Sequence, residues 1–234
     1  MGQKKLIRFE AIKGYENVFE YPVNAKGTWK AFFKNDNPIT LELACGKGEY
    51  AVGLGKMHPN RNYIGIDIKG NRIWRGATNA LEQGLKNVAF IRSHIDKVPD
   101  YFDAQEIEEI WITFPDPQLK GERAKKRLTH PKFLRLYQQI LKPGGIIHLK
   151  TDSPDLYQFT KLVINLFELP LLEDMDNVYA GANIKPELHI KTHYEGLDIA
   201  GSNRIHYLSF SINKELPLAL DAQLKSLLSE QEPD

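Results

Sequence analysis

The chain has 234 residues, of which 42% are hydrophobic and 26% charged, and its formal net charge is only +1 at pH 7. These values exclude a disordered chain and fit one α/β domain with short extensions, while the global charge gives no sign of nucleic acid. The single cysteine, Cys45, excludes an intramolecular disulfide and fits a reducing cytoplasm. Because no apolar run approaches a membrane span or a signal segment, we expect a soluble, unsecreted, cytoplasmic protein.

We divide the chain into a basic N-terminal extension (1–38), a central α/β domain (39–212) and an acidic tail with a short helix (213–234). The first 36 residues carry a local net charge of +3 and many aromatic residues. The aromatic residues favour packing of the extension onto the domain. Its cations fit either a solvated surface or an arm that touches RNA phosphates.

The central domain begins with an apolar strand, Ile39–Ala44, followed by a glycine loop that matches G-x-G-x-x-A at Gly46, Gly48 and Ala51. Glycines let the backbone approach a ligand closely, and the following helix (49–57) offers free N–H groups at its start. A second strand ends near Asp67, which lies 19 residues after Gly48. A ribose-binding carboxylate belongs at about this distance, so the pattern predicts an adenosine-type cofactor.

Glu42 is a charged residue inside the otherwise apolar first strand. Burying a carboxylate is costly unless it is paired, so Glu42 is either a satisfied structural group or a ligand-facing one. If it faces the ligand, it fits the cationic sulfonium and amino-acid end of S-adenosylmethionine (SAM). It would repel the pyrophosphate of a nicotinamide cofactor. No G-x-x-x-x-G-K-[S/T] sequence occurs, which excludes a P-loop.

Helices and strands continue to alternate, which predicts a mostly parallel sheet covered on both faces. The predicted helices span 70–84, 131–141 and 154–168, and the predicted strands span 87–91, 110–114, 146–150 and 204–212.

The strand at 110–114 stops at Pro115-Asp116-Pro117. Two prolines remove two backbone donors and force an extended exit, so Asp116 is held on a stiff turn at the carboxyl edge of the sheet. Ligands bind at that edge in open α/β sheets. Residues 116–135 carry a local net charge of +5, which suits chemistry on a polyanion, although a plain turn and a solvated loop would look the same. The cations nearest the turn are Lys120, Arg123, Lys125, Lys126 and Arg127.

FPDP followed by K-x-x-R-x-K-K-R resembles the signature of the bacterial tRNA (guanine-N7-)-methyltransferase family, and the resemblance covers roughly residues 39 to 210. The chain has Gln118, Glu122 and Arg123 where the family usually has Trp, Arg and His. The resemblance implies a class I methyltransferase, Rossmann-like fold with a mostly parallel seven-stranded sheet. The residue pattern alone gives about six strands.

The resemblance also implies roles for individual residues. Carboxylates at the Glu42 and Asp67 positions contact the cofactor, together with the glycine loop. His94 occupies the adenine-contacting position after the third strand, although it would serve equally as a loop histidine. Asp152 contacts the substrate in the family, and it could also cap the helix at 154–168. The T-x-[FYW]-E motif near the guanosine is matched by Thr192, His193, Tyr194 and Glu195.

These residues predict methyl transfer from SAM to N7 of a guanosine in the tRNA variable loop. N7 attacks without losing a proton, so we expect no strong general base. Asp116 would stabilise the cationic product base with help from Asp152, Lys120 would anchor the RNA near the target, and residues 123–127 would hold phosphates.

Two alternatives stay open, an NAD-type oxidoreductase and a non-catalytic RNA-binding protein. We expect no metal, because His189 and His193 lack a third ligand. The sequence leaves the choice between a monomer and a homodimer open.

Overall fold

The computed structural model describes residues 2–181, 183–197 and 199–230 and is organised around an eight-stranded sheet. Its spatial order is β1-β4-β3-β2-β5-β6-β8-β7. The strands are β1 (Val18–Glu20), β2 (Ile39–Leu43), β3 (Asn62–Asp67), β4 (Val88–Arg92), β5 (Ile107–Thr113), β6 (Leu141–Thr151), β7 (Leu171–Met175) and β8 (His206–Ser211).

Helices cover both faces of this sheet, and each face has its own apolar cluster. The larger cluster includes side chains of α2, α5, α6 and α7, and the smaller one includes side chains of α3 and α4. The helices are α1 (Gly2–Ile12), α2 (Trp29–Phe33), α3 (Glu49–Met57), α4 (Gly70–Glu82), α5 (Pro131–Gln138), α6 (Pro154–Leu166) and α7 (Leu220–Glu230).

Six strands, β1 to β6, are parallel, and β8 enters antiparallel between β6 and β7. The strand order reverses between β2 and β5, so the switch point lies where the glycine loop and the FPDP turn begin. The predicted doubly covered, mostly parallel sheet is confirmed. It contains one strand more than the predicted seven, because the short strand β1 pairs with β4 at the edge.

The N-terminal extension is part of this structure. Trp29 is 1% exposed, stacks on Phe102 at 5.5 Å and donates to the Tyr101 carbonyl. Phe19 packs edge-on against Trp29 at 5.2 Å. Phe19, Trp29, Phe32 and Phe33 therefore pack against the domain, as expected for the extension, whereas Tyr21 is exposed.

Candidate active site

The glycine loop turns sharply at the end of β2. Ala44, Gly46 and Gly48 all have positive φ, at 54°, 56° and 67°. A Cβ atom at Gly48 would lie 2.4 Å from Cε1 of Phe90, so only glycine lets the loop pack onto the sheet here. Ala44 adopts the left-handed conformation without glycine's freedom, which places local strain beside the switch point.

Asp67 lies at the end of β3 and is 7% exposed. Its Oδ2 accepts a hydrogen bond from the Gly46 amide at 2.9 Å, and its Oδ1 accepts one from the Lys69 amide at 2.8 Å. One carboxylate therefore fixes both the glycine loop and the turn into α4. This double role explains why an acid is needed here even before any ribose is considered.

A cavity of about 690 Å³ opens at the switch point. Asp116 lies on its wall, is exposed, and accepts a hydrogen bond from the Gln118 amide at 3.1 Å. Phe114, directly before the turn, has a φ of 47° and donates its amide to the Lys150 carbonyl. The acidic and aromatic residues that share this cavity include Asp67, Phe114, Asp116, Asp152, Asp155 and Tyr194. One bound molecule could thus touch both Asp67 and Asp116.

A neighbouring cavity of about 530 Å³ shares Ala44, Asp67 and Ile68 with the first. His94 and Phe133 line it, together with Lys126 and Lys132. The two cavities form a continuous cleft along the carboxyl ends of β2 to β5. His94 lies where the adenine contact is expected, and that contact stays a prediction.

Glu42 is placed beneath the loop rather than on the cavity wall. It is 3% exposed, accepts from the Ala51 amide at 2.8 Å and from the Thr113 hydroxyl at 3.3 Å. Burial raises the pKa of Glu42 to about 8. Glu42 is not one of the described residues that line either cavity. Its contacts therefore favour the structural role, in which the carboxylate supports the loop, over direct contact with a ligand.

Arg127 does not lie on the surface. Its side chain is 5% exposed, and its guanidinium donates to the carbonyls of Pro117, Gln118 and Leu119. The guanidinium also stacks over Phe159 at 4.5 Å. These contacts make Arg127 a clamp on the FPDP turn, and its predicted contact with RNA stays a prediction. The predicted RNA-binding cations that are exposed are Lys120, Arg123, Lys125 and Lys126.

The Thr192–Glu195 motif divides into supporting and exposed parts. Thr192 is buried, and its hydroxyl accepts from the Glu195 amide at 3.2 Å. Glu195 pairs with Lys150 at 2.9 Å, with side chains 4% and 0% exposed. His193 is exposed, and its amide donates to Glu49. Of the four residues, only Tyr194 lines the Asp116 cavity, whereas Thr192 and Glu195 hold the loop that carries it; substrate binding by the four residues stays a prediction.

Asp152 is half-buried on the cavity wall, and its Oδ2 accepts from the Ala200 amide at 3.3 Å. The cap of α6 is Ser153, whose hydroxyl accepts from the Leu156 amide. The capping alternative for Asp152 is therefore wrong, and its carboxylate faces the cavity.

Sequence reasoning missed several residues at the site. Lys69 and Arg72 follow Asp67 and line the Asp116 cavity. In the sequence, both cations lie within five residues of Asp67, at the start of the helix that follows β3. Lys150 carried no signal in the sequence, because a lysine near a strand end usually reaches solvent.

Other reactive groups contribute little. Cys45 is buried, and burial raises the pKa of its thiol well above the usual value, so it is a poor nucleophile.

Within residues 2–181, 183–197 and 199–230, no group of three or more metal-ligating side chains occurs. The same residues contain no helix that is long and apolar enough to span a membrane.

Comparison with known proteins gives the family. Residues 36–206 match a family model described as a putative methyltransferase. The tRNA (guanine-N(7)-)-methyltransferase of Bacteroides thetaiotaomicron is 46% identical over 224 residues, covering 92% of this chain and 88% of that protein. The enzyme of the same name from Porphyromonas gingivalis is 44% identical over 235 residues, covering 95% and 93%. The solved 16S rRNA methyltransferase KamB is similar in fold, with a TM-score of 0.61, 13% identity, and coverage of 80% and 93%.

The sheet, in which β8 alone of the eight strands is reversed, has the class I methyltransferase fold, and the matching family model makes the chain a methyltransferase of this class. Within that class, the chain belongs to the tRNA (guanine-N(7)-)-methyltransferase family.

Proposed function

We propose that this protein transfers the methyl group of SAM to N7 of a guanosine in the variable loop of tRNA, with Asp116 as the catalytic carboxylate. One observation carries the assignment of Asp116. It shares a single cavity with Asp67 at the switch point, so the cofactor and the reacting base would meet in one space. Family membership supports the reaction and the tRNA substrate.

The cleft fits SAM. The ribose would lie against Asp67, the adenine in the side pocket with His94 and Phe133, and the methionine end above the glycine loop of Gly46 and Gly48. SAM supplies an electrophilic methyl group when bound. A cationic ligand above the loop would lower the raised pKa of Glu42, because a nearby positive charge favours the ionised carboxylate.

The chain's own residues then place the base. N7 of guanine carries no proton in the neutral base, so no general base has to remove one, and correct placement is the main requirement. Asp116 would face the ring as it becomes cationic, with Asp152 on the same cavity wall. Tyr194 also lines this cavity, and its ring would stack on the base.

The exposed cations after the FPDP turn would hold the RNA. Lys120 lies nearest to the turn, and Arg123, Lys125 and Lys126 follow on a short 3-10 helix. Phosphate contacts of this kind make binding strongly dependent on salt. Because N7 lies in the deep major groove of A-form RNA, the target must lie in an accessible loop. Since its substrate would be cellular tRNA, we place the protein in the cytoplasm.

The reaction is tested by incubating an unmodified tRNA transcript with the protein and methyl-labelled SAM, followed by nucleoside mapping. We expect label in 7-methylguanosine from the variable loop. Label in another nucleoside, or none, would overturn the proposal. Titration with NADH in place of SAM is the control, and we expect no binding, because family membership excludes the oxidoreductase alternative.

A further inference from the structure

A second concave surface lies beside the active site, between α1, α4 and the glycine loop. Its volume is about 500 Å³. Four of its lining side chains are cationic, and within the described residues none of the lining side chains is Asp or Glu. This concentration of positive charge stands out in a chain whose net charge is +1. We call it the α1–α4 groove, and its cations are Arg8, Lys47, Arg72 and Arg75.

Aromatic rings alternate with these cations. The Arg8 guanidinium lies 4.7 Å from the ring centre of Trp74, and that of Arg72 lies 5.3 Å from the ring centre of Tyr194. Both rings are half-buried, so each keeps an accessible part. Guanidinium groups and aromatic faces in one positive groove are the combination that binds single-stranded nucleic acid, through phosphates and base stacking.

The groove is continuous with the active site. Arg72 and Tyr194 line both the groove and the Asp116 cavity. The exposed cations of residues 120–126 follow β5, whereas the groove is built on α1 and α4. Two positive surfaces on different elements therefore approach the same cavity. An RNA strand with one nucleotide in the cavity would have a positive surface on each side.

We propose that the α1–α4 groove binds the single-stranded RNA that flanks the target guanosine on one side, with Arg8 and Arg75 contacting its phosphates. The proposal rests on the proposed function, since the guanosine must occupy the Asp116 cavity. It also gives the N-terminal extension a role beyond packing, because Arg8 lies on α1.

The test compares two double variants in binding to an unmodified tRNA transcript. Arg8→Ala with Arg75→Ala removes two cations from the groove and none from the Asp116 cavity. Lys56→Ala with Lys86→Ala removes two exposed cations from the opposite, amino edge of the sheet. We expect the groove variant to raise the tRNA Kd about tenfold and to flatten the log–log salt dependence by about 1.4 to 1.8. The control should change neither, and both should bind SAM as the parent does.

Equal tRNA affinity and salt slope in the groove variant and the control would overturn the proposal. If thermal unfolding shows that the double variant is not folded, Arg75→Glu alone decides, because Arg75 is exposed. It should weaken tRNA binding more than Arg75→Ala does, and unchanged binding would count against the groove. Failure of the proposed function is separate, since the parent protein would then form no 7-methylguanosine at all.

Discussion

The side chain of Arg127 binds the main chain of Gln118: its Nη2 atom donates to the Gln118 carbonyl at 3.1 Å. Gln118 itself has a φ of 48° and donates its amide to Asp116. A cation at the end of the basic segment thus fixes the turn that carries Asp116, the carboxylate for which we propose the catalytic role. The segment combines two functions, a buried clamp at Arg127 and an exposed surface before it.

We predict that Arg127→Lys lowers kcat by about 10²-fold, because small displacements of a catalytic group are costly and lysine cannot donate to three carbonyls at once. Lys125→Ala is the matched variant, since Lys125 is exposed on the same segment. It should raise the KM for tRNA and leave kcat unchanged. Steady-state kinetics separate the two, and a kcat for Arg127→Lys equal to that of the parent would refute the clamp.

The buried pair of Lys150 and Glu195 gives a prediction on stability. Lys150 also donates to the carbonyls of Leu188 and Ile190, so it ties the loop that carries Tyr194 to the sheet. Lys150→Met leaves the buried Glu195 carboxylate without its cation, with only the Tyr179 hydroxyl still donating to it, and should lower the free energy of unfolding by about 3–5 kcal/mol. Urea denaturation measures this change.

The control for Lys150 is Lys214→Met, whose partner Glu168 is on the surface. It should leave the urea midpoint unchanged. Adding Glu195→Gln to Lys150→Met should recover part of the loss, because the unpaired charge is removed. No recovery would show that the lysine acts through its carbonyl contacts alone.

Glu42 predicts a pH dependence of stability. Its pKa is raised from 4.5 to about 8 by burial, so the folded state keeps a proton that the unfolded chain releases. The stabilising effect is therefore complete below about pH 4.5 and is lost as the pH rises through about 8. Glu42→Gln should flatten the decline in unfolding free energy between these values. Parallel curves for the two proteins would show that Glu42 is ionised in the folded state.

Much of the fold and part of the site could be predicted from the sequence. Alternating apolar strands and helices, the glycine loop and the double proline indicate the sheet and its functional edge, because these signals are local. The strand at 171–175 gave no such signal, since it is a half-exposed edge strand with two acids. The Val18–Glu20 strand is too short to show a period.

Within the site, residue type alone did not distinguish supporting side chains from those at the cavity. Arg127, Thr192 and Glu195 share motifs with Asp116 and Tyr194, but they turn inward to satisfy backbone groups or a buried lysine. The direction in which a side chain points depends on the backbone conformation, which tertiary packing sets. Ala44 and Phe114 have left-handed φ values that neither residue type favours. Arg8 and Trp74 are far apart in the chain and meet only because α1 packs on α4.

A single-turnover experiment on Asp116→Asn with saturating SAM and tRNA tests whether the charge of this carboxylate promotes methyl transfer. The variant keeps the side-chain shape and the acceptor for the Gln118 amide, but it loses the charge. We predict that 7-methylguanosine forms about 10²-fold to 10³-fold more slowly, with both Kd values unchanged. Formation at the parent's rate would show that the charge of Asp116 has no part in methyl transfer.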